Sequence, residues 1–277
     1  MMKELITSKF STVQDADVEE GDYYEDDILY CGKCRTAKQV KHFLSGKTIR
    51  GRCLCKCQAE LRDKAAAEAE KAEAATRIRT MRAVAFPDTA ILKCRFELDD
   101  LKNADVSRRC RNYVLNFNLM KDKHKGLLLY GPVGTGKTFM GAAIANALVD
   151  KGVPCLVTDF ARLTNELFGL KEEKQEYIDS LNDFALLVID DFASERDTDF
   201  MLEQVYNIVD SRYRSGKPLI ITTNLTGNEL KKPSDLRKER IYSRILEICF
   251  PVEVPGVDRR KVKVTETYND ICKLLDS

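Results

Sequence analysis

The chain has 277 residues, 44% apolar and 32% charged, enough for one large domain and a small one built around packed cores. No apolar run approaches the ~20 residues that span a membrane, and the amino terminus, where acids soon follow, lacks a secretory pattern. A cytoplasmic protein without a membrane partner is expected, its ten cysteines serving as thiols and metal ligands rather than disulfides.

The net charge of +1 conceals an asymmetry. Residues 1–30 carry two lysines against nine acids, whereas residues 31–60 carry eight Lys or Arg against Glu60 alone. This reads as an acidic interaction tail beside a polyanion-binding module, or as two solvated patches that neutralise each other. The acidic segment, 1–30, has no clear period and is expected to be weakly ordered.

A compact cysteine segment, 31–57, follows. Cys31-Gly32-Lys33-Cys34 is separated by 18 residues from Cys53-Leu54-Cys55-Lys56-Cys57. Two thiolates on each side of a returning chain complete a tetrahedral shell, so a structural Zn2+ is expected. Cys31, Cys34, Cys55 and Cys57 are the predicted ligands, with Cys53 an alternative to Cys55. Gly46 and Gly51 suit the hairpin return between the pairs. His42 has no ligand spacing and is expected at the surface. So small an element has little core, and bound metal would supply much of its folding energy. Lys33, Arg35, Lys38, Lys41, Lys47, Arg50, Arg52 and Lys56 could meet nucleic-acid phosphates.

Residues 58–86 contain no Gly or Pro and are mostly Ala, Glu, Lys and Arg. Glu60 with Lys64 and Glu73 with Arg77 are i,i+4 pairs in the favourable order. A solvated helical spacer is expected, with Ile78, Met81 and Ala85 docking its end on a core and Pro87 closing it.

The remaining segment, 87–265, reads as one α/β domain, with a tail at 266–277. Phe96-Glu97-Leu98 is expected near a nucleotide base. Tyr113, Val114, Phe117 and Met120 share one helical face, predicting a helix over 110–120. Gly126-Leu127-Leu128-Leu129-Tyr130 then reads as a buried strand leading into Gly131-Pro132-Val133-Gly134-Thr135-Gly136-Lys137-Thr138, and Met140, Ile144, Ala147 and Leu148 recur beyond it at helical spacing. Strand, G-x-x-x-x-G-K-T and helix in this order form a phosphate-binding loop. Gly131, Gly134 and Gly136 let the backbone turn its N–H groups onto phosphate oxygens, and the helix adds its positive end. Pro132, Val133 and Thr135 complete the predicted ATP-binding set. Lys137 reaches the β- and γ-phosphates and Thr138 ligands Mg2+.

A second strand is expected at 154–158, a helix at 160–168 and a short helical pattern after the polar stretch 171–177. Ala185-Leu186-Leu187-Val188-Ile189 then ends in Asp190 and Asp191. Asp190 would hold Mg2+ and Asp191 would position or activate the attacking water, with Glu195 a second candidate base. Met201, Val205, Ile208 and Val209 mark a helix ending at Gly216-Lys217-Pro218. Another buried strand, 219–223, carries Asn224 at its tip, where an amide can touch both γ-phosphate and water. Arg240 and Arg244 share a face of a predicted helix over 236–246, and either could serve as a catalytic arginine toward a neighbouring subunit. A last strand is expected over 248–254.

Together, GPVGTGKT, LLVIDDFASERDTDFMLEQVYNIVDSRYRSGKPLIITTNL and ERIYSRILEICFPV resemble the ATPase domain of DnaC/DnaI-type replicative helicase loaders, AAA+ proteins of the IstB-like ATP-binding clade. The match covers roughly residues 95–265, and CGKC with CLCKCQAE resembles the zinc module of many members. The resemblance implies an AAA+ fold with a parallel five-stranded sheet, preceded by a small zinc-binding module and a helical spacer. It implies ATP, Mg2+ and Zn2+ as ligands, a replicative DNA helicase and single-stranded DNA as partners, and a homo-oligomer bridged by ATP. Asn224 would be sensor 1, Arg244 or Arg240 the arginine finger, and Arg259 or Arg260 sensor 2. The helical stretch 160–184 would contact single-stranded DNA, and the amino-terminal region would dock on the helicase. Many AAA+ proteins have Glu where this chain has Asp191, which implies slow hydrolysis or reliance on Glu195. The short stretch after the last strand implies no full helical lid. Alternatives are an IstB-type transposition helper and an adaptor that binds ATP without hydrolysing it; a nucleoside kinase shares only the phosphate loop.

Overall fold

The computed structural model describes residues 18–44, 47–170, 172–193, 198–233 and 235–261, with residues 271 and 275. The chain forms two compact units, 1–75 and 76–277. No helix among the described residues is long and apolar enough to cross a membrane.

The first unit is two small hairpins. β1 (Tyr23–Glu25) pairs antiparallel with β2 (Ile28–Tyr30), and β3 (Gln39–Leu44) pairs antiparallel with β4 (Lys47–Arg52). The acidic segment thus contains a hairpin, while residues 1–17 lie outside the described residues. The expected return between the cysteine pairs is present, but Gly51 lies inside β4 opposite Val40 instead of in the turn, and Gly46 lies outside the described residues. Buried Leu29 and the buried thiols of Cys31 and Cys55 give this unit its small centre.

Helix α1 (Lys56–Ala85) starts two residues before the predicted spacer, and so includes Cys57 in its first turn. Ala85 is buried within the second unit, and Ile78 and Met81 pack against the same core. The rest of the helix is almost wholly solvated, as its Ala, Glu, Lys and Arg content dictates.

The second unit continues through α2 (Ala104–Leu115) and α3 (Phe117–Asp122), where one helix was expected over 110–120. The break falls at Asn116, whose side-chain amide donates to the Asn112 carbonyl at 2.9 Å and offers the chain a local alternative to continuing the helix. Then follow β5 (Gly126–Tyr130), α4 (Lys137–Val149), β6 (Cys155–Asp159), α5 (Phe160–Gly169) and α6 (Lys174–Ser180). The remaining elements are β7 (Leu186–Phe192), α7 (Asp199–Ser215), β8 (Leu219–Thr223), α8 (Gly227–Lys231), α9 (Leu236–Ile248) and β9 (Cys249–Glu253).

All five long strands are parallel, in the order β6-β7-β8-β5-β9. Successive strand residues point to opposite faces, so both faces of the sheet must be covered. Leu127 and Leu129 pack with α2 and α4 on one side, whereas Leu128 joins the core formed by α5, α7 and α9 on the other. This is the parallel five-stranded sheet that the resemblance implied. The phosphate loop, the paired acids and Asn224 fall at the carboxyl ends of β5, β7 and β8, where the crevice of such a sheet lies.

Candidate functional site

Gly131, Gly134 and Gly136 take φ values of 138°, 76° and 100°, a region side chains strain to enter. Gly134 has a further reason to be glycine: a Cβ there would lie 1.9 Å from Oδ1 of Asp258. The Thr135 hydroxyl donates to the Pro132 carbonyl at 3.0 Å and closes the loop on itself. Lys137 opens α4 and is buried, its ammonium donating to the carbonyls of Gly131 (2.9 Å) and Pro132 (2.7 Å). Burial pushes its pKa down, while Asp191 and Asp190 draw it back up and Arg260 adds to the push. Lys137 and the two strand-tip acids therefore lie close enough to act on one another's charge.

The acids sit on a bulge. β7 and β8 are in register at Ile189 with Ile221 and again at Phe192 with Thr223, so Asp190 and Asp191 together face the single residue Thr222. Asp191 takes a φ of 57°. Its N–H donates to the Thr222 hydroxyl at 3.0 Å, and that hydroxyl donates to Oδ1 of Asp190. The Thr223 hydroxyl donates to the Phe192 carbonyl at 2.8 Å. Burial raises the Asp190 pKa, against the opposing hydrogen bonds of the Thr222 and Thr138 hydroxyls. Thr138 and Asp190, the predicted Mg2+ ligands, are thus neighbours, two oxygen donors of the kind Mg2+ takes beside phosphates. Asn224, at the tip of β8, donates to Oδ1 of Asp191 at 3.1 Å. Glu195 lies outside the described residues.

Thr222 was not singled out by sequence; the signal was two hydroxyls, Thr222-Thr223, directly before Asn224. Nor were Asn103 and Asp258. The Asn103 amide donates to the Pro255 carbonyl at 2.9 Å and the Thr135 carbonyl at 3.5 Å. The Arg259 N–H donates to the Gly134 carbonyl at 3.0 Å, and its guanidinium pairs with Asp100 at 2.9 Å, next to Gly136. The segment after β9 thus lies along the phosphate loop, with Arg259 and Arg260 both beside it. Phe96 is a core residue under the Arg111 guanidinium, and it is Asp100 and Asn103, a few residues on, that reach the loop surroundings.

The two candidate arginine fingers differ. Arg244 is engaged within its own chain: it pairs with Asp210 at 2.6 Å, donates to the Tyr206 hydroxyl at 3.1 Å and lies over the rings of Tyr206 and Tyr213. Arg240 is exposed one turn earlier. In the stretch 160–184, Phe168 is 77% exposed and meets Phe200 edge-on, with the Lys174 ammonium over the Phe200 ring.

In the first unit the sulfurs of Cys31, Cys34, Cys55 and Cys57 all lie within 4.8 Å of one another. Cys55 and Cys57 are 3.3 Å apart, and Cys31 and Cys57 3.6 Å. A tetrahedral site with Zn–S of ~2.3 Å places its sulfurs about 3.8 Å apart, so the cluster fits the ion. Cys53 stands outside it, donating to the Ala37 carbonyl at 3.4 Å. Gly32 in the first knuckle packs so tightly on Gly21 that a Cβ would meet its carbonyl oxygen at 2.1 Å. The Thr36 hydroxyl holds the Cys34 thiol down at about 5, while the neighbouring Cys55 and Cys31 thiols push Cys57 up to about 12. Negative charge cannot accumulate on four such sulfurs without a cation among them. His42 is exposed on β3.

The basic set around the cluster is smaller than expected. Lys38 is buried and held by Asp22 and Glu19, so it is a structural lysine and not a phosphate contact. Arg50 pairs with Asp27 at 3.0 Å, and Lys47 falls at the edge of the undescribed turn. Lys33, Arg35, Lys41, Arg52 and Lys56 are exposed.

A family model described as IstB-like ATP binding protein matches residues 62–264. Among curated proteins, the chain is 29% identical to the replicative helicase loader DnaI of Bacillus subtilis over 176 residues, 59% of this chain and 56% of that one. It is 27% identical over 150 residues to a Mycobacterium tuberculosis protein named as an ATP-binding protein in an insertion sequence, 51% of this chain and 58% of that one. The chain spans little more than half the length of these two relatives. Among solved structures, it is similar to the crystal structure of the DnaI, with 26% identity, a TM-score of 0.53, and coverage of 65% of this chain and 98% of that one. For the DnaC helicase loader the values are 27%, 0.52, 61% and 100%. The match of the family model across the phosphate loop, the strand-tip acids and Asn224 agrees with the geometry of the site, and the chain belongs to the family of IstB-like ATP binding proteins.

Proposed function

We propose that this protein is an ATPase that loads a replicative ring helicase onto single-stranded DNA. The observation that carries this reading is the meeting of Lys137, Thr138, Asp190, Asp191 and Asn224 on a fold similar to DnaI and the DnaC helicase loader over nearly the whole of those two chains. ATP is the substrate. Lys137 exchanges its bonds to the Gly131 and Pro132 carbonyls for β- and γ-phosphate oxygens, and the N–H groups of the loop and the start of α4 take the rest. Thr138 and Asp190 would hold Mg2+, which neutralises phosphate charge. Asp191 accepts the proton of the attacking water, and Asn224 fixes the Asp191 carboxylate that does so. Arg240 or Arg244 reaches the γ-phosphate of a neighbouring subunit. Exposed Phe168, beside Lys174, gives the 160–184 stretch an aromatic and a cation for unpaired bases and phosphates. The cysteine cluster holds one structural Zn2+.

The test is co-purification with candidate replicative helicases, with and without ATP, alongside turnover in the presence of single-stranded DNA. Helicase capture that depends on ATP, and turnover lost in Lys137→Ala, are expected. The insertion-sequence relative favours a second reading, an IstB-type transposition helper. Recovery of a transposase and no helicase would decide for it. Undetectable turnover with nucleotide still bound would leave an adaptor that uses ATP as a structural ligand.

A further inference from the structure

We infer that Thr222 is a positioning residue for the metal-binding aspartate, and that its hydroxyl, more than the strand it belongs to, sets how tightly Asp190 takes Mg2+. This rests on the nucleotide-binding reading above.

A parallel strand pair normally satisfies its N–H groups with carbonyls of the neighbour. At the bulge, β7 has one residue too many, and the Asp191 N–H is satisfied by the Thr222 side chain instead. A hydroxyl has one proton and two lone pairs. Because Thr222 Oγ1 accepts from Asp191 N–H, its own proton is directed elsewhere, and it goes to Oδ1 of Asp190. Thr222 is 2% exposed, so water does not compete for either bond. The hydroxyl therefore ties the bulged backbone to the carboxylate in one fixed geometry.

Thr138 bonds the same carboxylate from α4. A hydroxyl that gives a lone pair to a metal keeps its proton, so both threonines can go on donating to Asp190, and only Thr222 ties that carboxylate to the bulged backbone. The bond from the Thr222 hydroxyl to Oδ1 fixes the orientation in which this carboxylate can meet a cation. Thr222 thus acts on Mg2+ through Asp190 without touching the ion. Thr223 supplies the internal comparison: it is equally buried and adjacent in β8, but its hydroxyl bonds the Phe192 carbonyl and not a carboxylate.

The experiment titrates Mg2+ into the 277-residue chain with a fluorescent ATP analogue, and repeats nucleotide binding in EDTA. Thr222→Val is expected to raise the Mg2+ midpoint about 10- to 100-fold, the usual cost of removing a group that orients a metal ligand. Affinity in EDTA should stay within twofold of the native chain, and Thr222→Ser should restore the native midpoint. Thr223→Val is expected to lower the unfolding temperature but not to move the midpoint. A folded Thr222→Val with a native midpoint overturns the proposal, as does an equal loss with and without Mg2+ that Thr222→Ser does not rescue. If Thr222→Val does not fold, Thr222→Ala is judged by the same comparison. A native chain that binds no nucleotide at all overturns the functional reading, and this inference with it; a native chain that binds nucleotide with a clear Mg2+ dependence keeps the two failures apart.

Discussion

Arg212 donates twice to the carbonyl of Pro218, six residues on, through Nε at 3.1 Å and Nη2 at 2.7 Å. The same guanidinium donates to the carbonyls of Leu181 (3.3 Å), Phe184 (3.0 Å) and Ala185 (3.2 Å), although the residue is only 1% exposed. Burial lowers its pKa to about 10, which leaves it charged at neutral pH. It ties the turn before β7 to the turn before β8, and so sets where both strands begin. Arg212→Met keeps the volume but strands these acceptors, each worth about 1–3 kcal/mol when buried unsatisfied. A loss of at least about 3 kcal/mol is expected in urea unfolding followed by circular dichroism. A loss below about 1 kcal/mol would show that water reaches these carbonyls.

Metal analysis separates the four clustered cysteines from Cys53. The native chain should carry one Zn2+, and Cys31→Ser or Cys55→Ser should release it, with loss of folded structure in the first unit. Cys53→Ser should retain it, because that thiol turns to the Ala37 carbonyl. Zinc lost from Cys53→Ser and retained in Cys55→Ser would reverse the ligand set.

The arginines of α9 divide in the same manner. Arg244→Ala removes the partner of Asp210 and the cation over two tyrosines, and should lower the unfolding temperature. Arg240→Ala removes an exposed side chain and should change stability by no more than about 0.5 kcal/mol. If Arg240 reaches a neighbour's phosphate, turnover falls about 1,000-fold or more in that variant. Mixing Arg240→Ala with Lys137→Ala then restores part of it, because each supplies what the other lacks. Full turnover in Arg240→Ala alone would move the role to Arg244.

In the first unit, burial alone would raise the Asp22 carboxyl, but the Lys38 ammonium and the N–H groups of Gly32 and Glu19 hold it at about 2. A lowered folded pKa means the carboxylate stabilises the fold fully above its usual value of about 4, and that this is lost only as pH falls toward 2. Asp22→Asn should therefore speed hydrogen exchange over residues 22–38 by a factor that stays constant between pH 8 and pH 5. A factor that shrinks across that window would mean the carboxyl titrates there and is not held down.

The phosphate loop, the acids ending β7 and Asn224 were legible because each depends on a local order of strand, turn and helix. That order is written in consecutive residues. The helix break at Asn116 was less so, since an amide bonding its own helix competes with the apolar period around it. Lys38 read as a surface cation, and only the fold of Asp22 and Glu19 onto it shows otherwise. The choice between Cys53 and Cys55 depended on which sulfur the chain turns toward Cys31 after β4 has ended at Arg52.

The sequence by itself determined the fold class, the family and the kinds of residue gathered in both clusters, because glycine conformations, apolar periods and cysteine spacing are properties of neighbours along the chain. The tertiary structure alone decided the bulge that sets Asp190 and Asp191 against Thr222, the seat of Arg212 and the capture of Arg244 by Asp210. Those contacts join residues about 30 or more apart in sequence (Arg212 to the Leu181–Ala185 turn among them), and no local pattern encodes which side chain a packed sheet will bring opposite another.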